Sequence, residues 1–233
     1  MPINFDSTPN RRDPNVKNKW TWYPNDVLPM WVADMDFPAP KPILDELHKV
    51  VNQGVLGYEM PSQSLQETVA KRMDRLYRWK VQPDSVVAVT GIVSGFNVAA
   101  RAFGSKKKGI LVQPPVYNEF HEVKNNVGIS QVNAPLVKRV DGNILSYEID
   151  WDVFKKQVKK AGIFLLCNPH NPLGIIFSRK DLLQMAKICI ENNVLIVSDE
   201  IHSELLLDDH TFTPMSKLSS EIAQHTITLI APS

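Results

Sequence analysis

Hydrophobic and polar positions follow two different rhythms along this chain, and the rhythm changes near residue 85. Residues 1–40 show no sustained periodicity: they are polar and punctuated by proline, with Trp20, Trp22, Trp31 and Phe37 as isolated apolar anchors. A stretch of this kind has no core of its own and must lie against the rest of the chain or a second subunit. Pro42 then predicts a helix start, with Ile43, Leu47, Val50 and Val51 on one face up to about Gln53. Residues 54–58 read as a loop. Pro61-Ser62 opens a second amphipathic helix to about Trp79, with Leu65, Val69, Met73 and Leu76 spaced as one buried stripe.

After residue 85, short apolar runs alternate with helical patterns. Val86–Val89, Gly109–Val112, Ser130–Leu136, Ile163–Leu166, Val194–Val197 and Thr226–Ile230 predict strands. Ile92–Phe103, Tyr117–Asn126, Trp151–Lys160 and Ser178–Asn192 predict helices, and Lys138–Tyr147 a hairpin about Asp141-Gly142. Such alternation predicts an α/β fold: three α/β/α layers around a mostly parallel sheet.

Composition narrows the function classes. At 233 residues and 43% hydrophobic, the chain can bury a full core in one large domain or two modest ones. A net charge of +1 gives no sign of a nucleic-acid or membrane partner, and Lys106-Lys107-Lys108 reads as a solvated turn. Cys167 and Cys189 are too few for a disulfide framework and lie in apolar runs, which points to reduced thiols in a cytoplasmic protein. No apolar run is long enough to span a bilayer, and none near the N-terminus resembles a signal peptide.

Two strand ends carry unusual chemistry. Val194-Leu195-Ile196-Val197 runs into Ser198-Asp199-Glu200-Ile201-His202, which predicts a buried parallel strand delivering a carboxylate and an imidazole to a crevice. A carboxylate there is costly without a cationic partner, and the protonated ring nitrogen of pyridoxal phosphate would supply one. A structural N-cap is the plainer fate of such an Asp. Ile163–Leu166 runs into Cys167-Asn168-Pro169-His170-Asn171-Pro172-Leu173-Gly174, where two Asn-Pro pairs force extended turns and put Asn171 at the mouth of the sheet. Tyr117 follows the rigid Pro114-Pro115-Val116 and could lie against a planar ring or simply join the core. Thr90-Gly91-Ile92-Val93 joins strand to helix, where free backbone N–H groups could cradle an anion, although alone it is an ordinary glycine turn. A metal reading of His170, Asp199 and His202 lacks any supporting H-x-x-x-H or C-x-x-C spacing.

Together, Cys-Asn-Pro-His-Asn-Pro-Leu-Gly, Ser-Asp-Glu-Ile-His and Thr-Gly-Ile-Val, in this chain order, resemble the fold-type I pyridoxal phosphate enzymes of the aspartate aminotransferase superfamily. Leu28–Phe37 (LPMWVADMDF), Gly57-Tyr58 and Pro114–Tyr117 are similar to the MalY/PatB group of cystathionine β-lyases. The resemblance implies pyridoxal 5′-phosphate as cofactor. Asp199 would pair with its pyridine nitrogen, Asn171 donate to its phenolic oxygen, and Tyr117 stack on its ring. His202 would stand near the phenolic oxygen, the backbone of Gly91, Ile92 and Val93 would hold the phosphate, and Ser233 would add a hydroxyl. Tyr58 would reach the site of a neighbouring subunit in a homodimer, and Ala33, Tyr58 and Asn171 would border the amino-acid substrate. Glu204 stands where the family pattern has Asp.

The resemblance also implies a division into an arm with dimer contacts over 1–53 and a large cofactor domain over 54–233. In the family, Ala-Pro-Ser is followed at once by the lysine that forms the Schiff base. That lysine is expected just after Ser233, so no catalytic residue is expected within the 233 residues, and the chain is expected to be part of a longer protein that continues into a small domain. The activity implied is α,β-elimination from cystathionine or another cysteine conjugate, giving thiol, pyruvate and ammonia. An aminotransferase is the alternative on the same site. A non-catalytic regulator with an aminotransferase-like domain is disfavoured, because residues 1–40 show no DNA-binding module.

Overall fold

The computed structural model describes residues 5–58 and 60–232, in two compact units, residues 1–60 and 61–233. In the first, Asn18 caps a short helix, α1 (Lys19–Trp22): its side chain accepts from Trp20 N, and Thr21 Oγ1 accepts from Asn18 N in return. The sequence reading of 1–40 as wholly irregular missed this helix, because a single turn is too short to show periodicity. Nor are the aromatic anchors isolated: Trp22 lies 6.0 Å from Trp31 and Phe5 lies 5.0 Å from Phe37, centroid to centroid. Helix α2 (Lys41–Gln53) has Pro42 in its first turn and Gly54 as a left-handed cap at φ +70°. Its predicted apolar face forms, yet Ile43, Leu47, Val50 and Val51 are all exposed.

The second unit opens with α3 (Gln63–Tyr77), capped by the Ser62 hydroxyl. Its buried face is Ala70 and Met73, whereas Leu65 and Leu76 are exposed, so the predicted stripe is rotated toward the smaller residue. Val86–Val89 is extended coil rather than the expected strand, with Val87 and Val89 exposed. Its apolar residues are strand formers, but a strand needs a partner edge. Helix α4 (Ile92–Phe103) follows, starting at Gly91, whose φ of +138° is a conformation L side chains rarely adopt.

Next come β1 (Gly109–Val112), α5 (Glu119–Val127) and β2 (Gln131–Asn133). The predicted 130–136 strand therefore splits, since Leu136 already begins the antiparallel ribbon of β3 (Leu136–Asp141) and β4 (Ile144–Ile149), turned at Gly142. Helix α6 (Trp151–Val158) is capped by Asp150; β5 (Ala161–Cys167), α7 (Arg179–Glu191, capped by Ser178) and β6 (Leu195–Asp199) then alternate. The unpredicted α8 (Ser220–Gln224) precedes β7 (Thr226–Leu229).

Five parallel strands form one sheet in the order β2-β1-β5-β6-β7. Alternation along the strands sends Leu111, Phe164, Leu166 and Ile196 to one face, against Phe154 of α6 and Leu182 and Met185 of α7. Ile110, Val112, Ile163, Leu165 and Val197 go to the other, against Phe96 of α4 and Phe120 of α5. This is the expected three-layer α/β/α fold. From β1 the chain moves first to one side of the sheet, to β2, and later to the other, to β5. The β1/β5 boundary is therefore the point where strand order reverses and successive loops diverge.

Candidate functional site

The C-terminal ends of β1, β5 and β6 lie side by side in the sheet and lead into several of the residues singled out from sequence. In the sheet register Cys167 pairs with Asp199, and Asn168 N donates to Asp199 O at 3.0 Å, which locks the ends of β5 and β6 side by side. Asp199 shares the strand face of Val197, so its carboxyl belongs to the α4/α5 side of the sheet. It is buried, only 6% exposed, and its Oδ1 accepts from Ile201 N at 3.1 Å. Burial pushes its pKa up to about 6, against the opposing pull of the Ile201 N–H and of His202. Among the described residues no cationic side chain forms an ion pair with it.

Asn171 is half-buried on the loop after β5, and its backbone N–H reaches Cys167 Sγ at 3.3 Å. The loop is closed by His170 N to Ile175 O and Gly174 N to His170 O, both 2.8 Å, with Gly174 at φ +64°. Tyr117, Ile92 and Val93 pack in the same cluster as Cys167 and Val197, so the start of α4 and the exit of β1 both lie over the Asp199 side. Burial, then the charges of Glu119 and Asp199, raise the Tyr117 pKa. Among the described residues nothing lies within 4 Å of where a Cβ on Gly91 would point. Gly95, one turn on, is confined instead: a Cβ there would meet Leu229 at 3.1 Å. His202 is half-buried three residues past Asp199.

Ala33 and Tyr58 belong to the first unit, and Ser233 lies outside the described residues. Burial pushes the Cys167 thiol up to about 12, which makes it an inert packing group rather than a nucleophile. Among the described residues no group of three His, Cys, Asp or Glu side chains could hold a metal ion.

Three residues escaped the sequence reading. Asn168 is fully buried, accepts from Phe177 N at 3.0 Å and leaves its Nδ2 unpartnered; Gln113, at the end of β1, leaves its Nε2 unpartnered. Glu200 is buried on the opposite face from Asp199. The available signal was position: Gln113, Asn168 and Glu200 each directly follow the last residue of a parallel strand.

A buried carboxyl without an ion pair among the described residues, an aromatic ring, an amide and a helix start are the groups that a planar cationic heteroaromatic with an anionic tail would call for. A family model for aminotransferase class I and II matches residues 27–231. The chain is 40% identical over 210 residues to cystathionine β-lyase PatB of Bacillus subtilis, spanning 89% of this chain and 53% of that protein. Cystalysin of Treponema denticola, solved with pyridoxal 5′-phosphate, superposes with a TM-score of 0.90 at 29% identity, over 100% of this chain and 60% of that one. A pyridoxal-phosphate-bound C–S lyase of Staphylococcus hominis gives 0.86 at 29% identity, over 99% and 59%. The chain thus spans about half the length of the curated relative and 60% of the cystalysin chain. It belongs to the class I and II aminotransferase family of fold-type I pyridoxal phosphate enzymes, in the MalY/PatB group.

Proposed function

We propose that this chain is the cofactor-binding part of a pyridoxal-phosphate-dependent C–S lyase. The reaction proposed is α,β-elimination on cystathionine or a related cysteine conjugate, giving a thiol, pyruvate and ammonia. The observation that carries the cofactor reading is Asp199, a buried carboxyl at a strand end with a raised pKa and no ion pair among the described residues. A protonated ring nitrogen supplies the missing charge and holds the carboxylate ionised. When bound, the cofactor supplies an electron sink for a carbanion formed next to the amino-acid carboxylate.

The chain's own residues then divide the work. Asp199 keeps a proton on the ring nitrogen, and the Asn171 amide donates to the phenolic oxygen. Tyr117 covers one face of the ring and keeps water from it. The N–H groups of Gly91, Ile92 and Val93 bind the phosphate at the start of α4, where the helix dipole favours an anion. His202 stands beside the phenolic oxygen, and Ser233 adds a hydroxyl to the phosphate. Ala33, Tyr58 and Asn171 border the substrate, with Tyr58 reaching the neighbouring site of a homodimer. Support for the lyase over the transaminase reading comes from the relatives' names: PatB is a cystathionine β-lyase and the Staphylococcus protein a C–S lyase.

The test uses the complete protein loaded with pyridoxal phosphate. Its visible spectrum before and after borohydride, with peptide mass mapping, identifies the lysine that carries the cofactor, expected directly after Ser233. Pyruvate release from cystathionine is the expected activity. Amino-group exchange with a keto acid and no pyruvate would instead establish a transaminase.

A further inference from the structure

The side chain next to Asp199 is also a buried carboxyl, and it faces the other way. Glu200 is 1% exposed, and its Oε1 accepts from Ser198 Oγ at 2.8 Å and from Met215 N at 2.9 Å. Its backbone N–H donates to Leu229 O at 2.9 Å, while Ser216 and Thr228 share a hydroxyl bond of 2.8 Å. One carboxyl thus latches the 3-10 turn Met215–Lys217 onto the ends of β6 and β7, behind the crevice. Among the described residues no cation forms an ion pair with either carboxyl of this adjacent pair.

Two buried carboxyls in consecutive positions, neither ion-paired among the described residues, each make it costlier for the other to ionise. The surroundings decide which one holds the proton. Asp199 has His202 nearby to favour its charge. Glu200 is faced by Ser198 of β6; its backbone carbonyl accepts from Ser203 N, and Glu204 on the same turn is paired with Arg72 of α3. Tyr77 of α3 feels the charge of Glu200, the 3-10 turn offers Ser216 and an exposed Lys217, β7 offers Thr228, and the charge of Asp199 reaches Glu200 from the opposite face. None of the buried groups in this set is a cation.

The geometry points to Glu200 as a positioning residue held as a neutral carboxylic acid, which latches residues 215–217 to the sheet and leaves Asp199 the single negative charge at the end of β6. The part played by Asp199 rests on its proposed role toward the cofactor's ring nitrogen. The latch itself does not. Burial also pushes Glu200 up to about 8, with the bonds from Met215 and Ser198 and the charge of Asp199 as smaller influences.

The sign of the linked stability is fixed. A carboxyl whose folded pKa lies above its unfolded value stabilises fully below the unfolded value, and loses that contribution as pH rises toward the folded one. The test compares wild-type, Glu200→Gln and Asp199→Asn holoenzymes in denaturant titrations at several pH values between 5 and 8. Wild type should lose up to about tenfold in its folding equilibrium per pH unit from this group. Glu200→Gln keeps an acceptor for Ser198 and Met215 and cannot titrate, so that part of the slope should vanish while the cofactor's visible band at pH 7 stays unchanged. A purely packing role predicts parallel slopes, and parallel slopes would overturn the inference. The infrared carbonyl band of a neutral carboxyl in the wild type, fading as pH rises through about 8, gives the same answer without a variant. If Glu200→Gln flattens the slope but Asp199→Asn leaves the cofactor band unaltered, the latch stands and the reading of Asp199 falls.

Discussion

Residues 61–232 and residues 5–58 achieve order by different means. The larger unit buries one apolar cluster on each face of a parallel sheet, and four of its helices, α3, α6, α7 and α8, are capped by Ser62, Asp150, Ser178 and Ser219. The smaller has Lys19 and Pro29 as its only buried residues among those described. Its centre is ionic: Arg11 and Lys19 both pair with Asp34 and Asp36 at 2.7–3.2 Å, and Trp20 Nε1 donates to Asp36 at 2.8 Å. An apolar core tolerates unusual polar groups at its rim because stability is supplied elsewhere. An ionic centre has no such margin, since each charge is part of what holds the segment together.

The largest expected effect exploits that tolerance. Asp199→Ala in the complete protein should lower kcat/KM about a thousandfold, the scale of breaking a buried charge pair. Thermal stability measured without cofactor should stay level or rise, because the substitution removes a buried carboxyl with no cation. Activity and stability falling together would mean that Asp199 serves the fold rather than the crevice. Next in size is Phe164→Ala. This side chain is fully buried and packs 5.3 Å from Phe154, edge to face, so about 3–5 kcal/mol should be lost in denaturant titration.

The same contrast explains what could be read in the sequence. Strands β1, β5, β6 and β7 and helices α4, α6 and α7 were legible because burial imposes a local period, and the motif residues after β5 and β6 follow from where those periods stop. Val86–Val89 has the composition of a strand but no partner, and pairing is not a local property. The network of Arg11, Lys19, Asp34 and Asp36 joins residues 15 to 25 positions apart through charge, which leaves no periodic trace. In the crevice, Asp199 and Asn171 stood out because a polar residue ending an apolar strand is costly. Glu200 was hidden behind its neighbour: alternation sends it to the opposite face, and only the fold brings Met215 to it.

The two regions should also respond oppositely to pH. The Trp20 indole, then Lys19 and Arg11, hold Asp36 down to about 2 against desolvation. A depressed carboxyl pKa contributes stability above its unfolded value of 3.8, lost as pH falls through about 2. Glu200, raised to about 8, contributes most below 4.5 and loses that contribution as pH rises. Hydrogen exchange, corrected for its intrinsic pH dependence, should show residues 11–36 loosening below about pH 4. Protection around 198–217 should weaken on the alkaline side instead. Both segments loosening on the same side of neutrality would break the contrast.

The smallest expected effect sharpens it. Helix α2 has a coherent apolar face, yet Leu47 in the middle of that face is 58% exposed and no residue of the helix is buried. Its order within the described chain comes from Pro42 in the first turn, the Gly54 cap and the Lys41–Asp45 and Glu46–Lys49 pairs on its surface. Leu47→Ala exchanges one good helix former for another and removes little buried area, so the 233-residue chain should change by less than about 0.5 kcal/mol. The companion Leu47→Gly should cost about 1 kcal/mol of helix propensity, read as lost helical signal in circular dichroism. A loss of about 2 kcal/mol or more for Leu47→Ala is the scale of a buried leucine. It would show that the apolar face is covered, and that the smaller unit, like the larger, is held by burial.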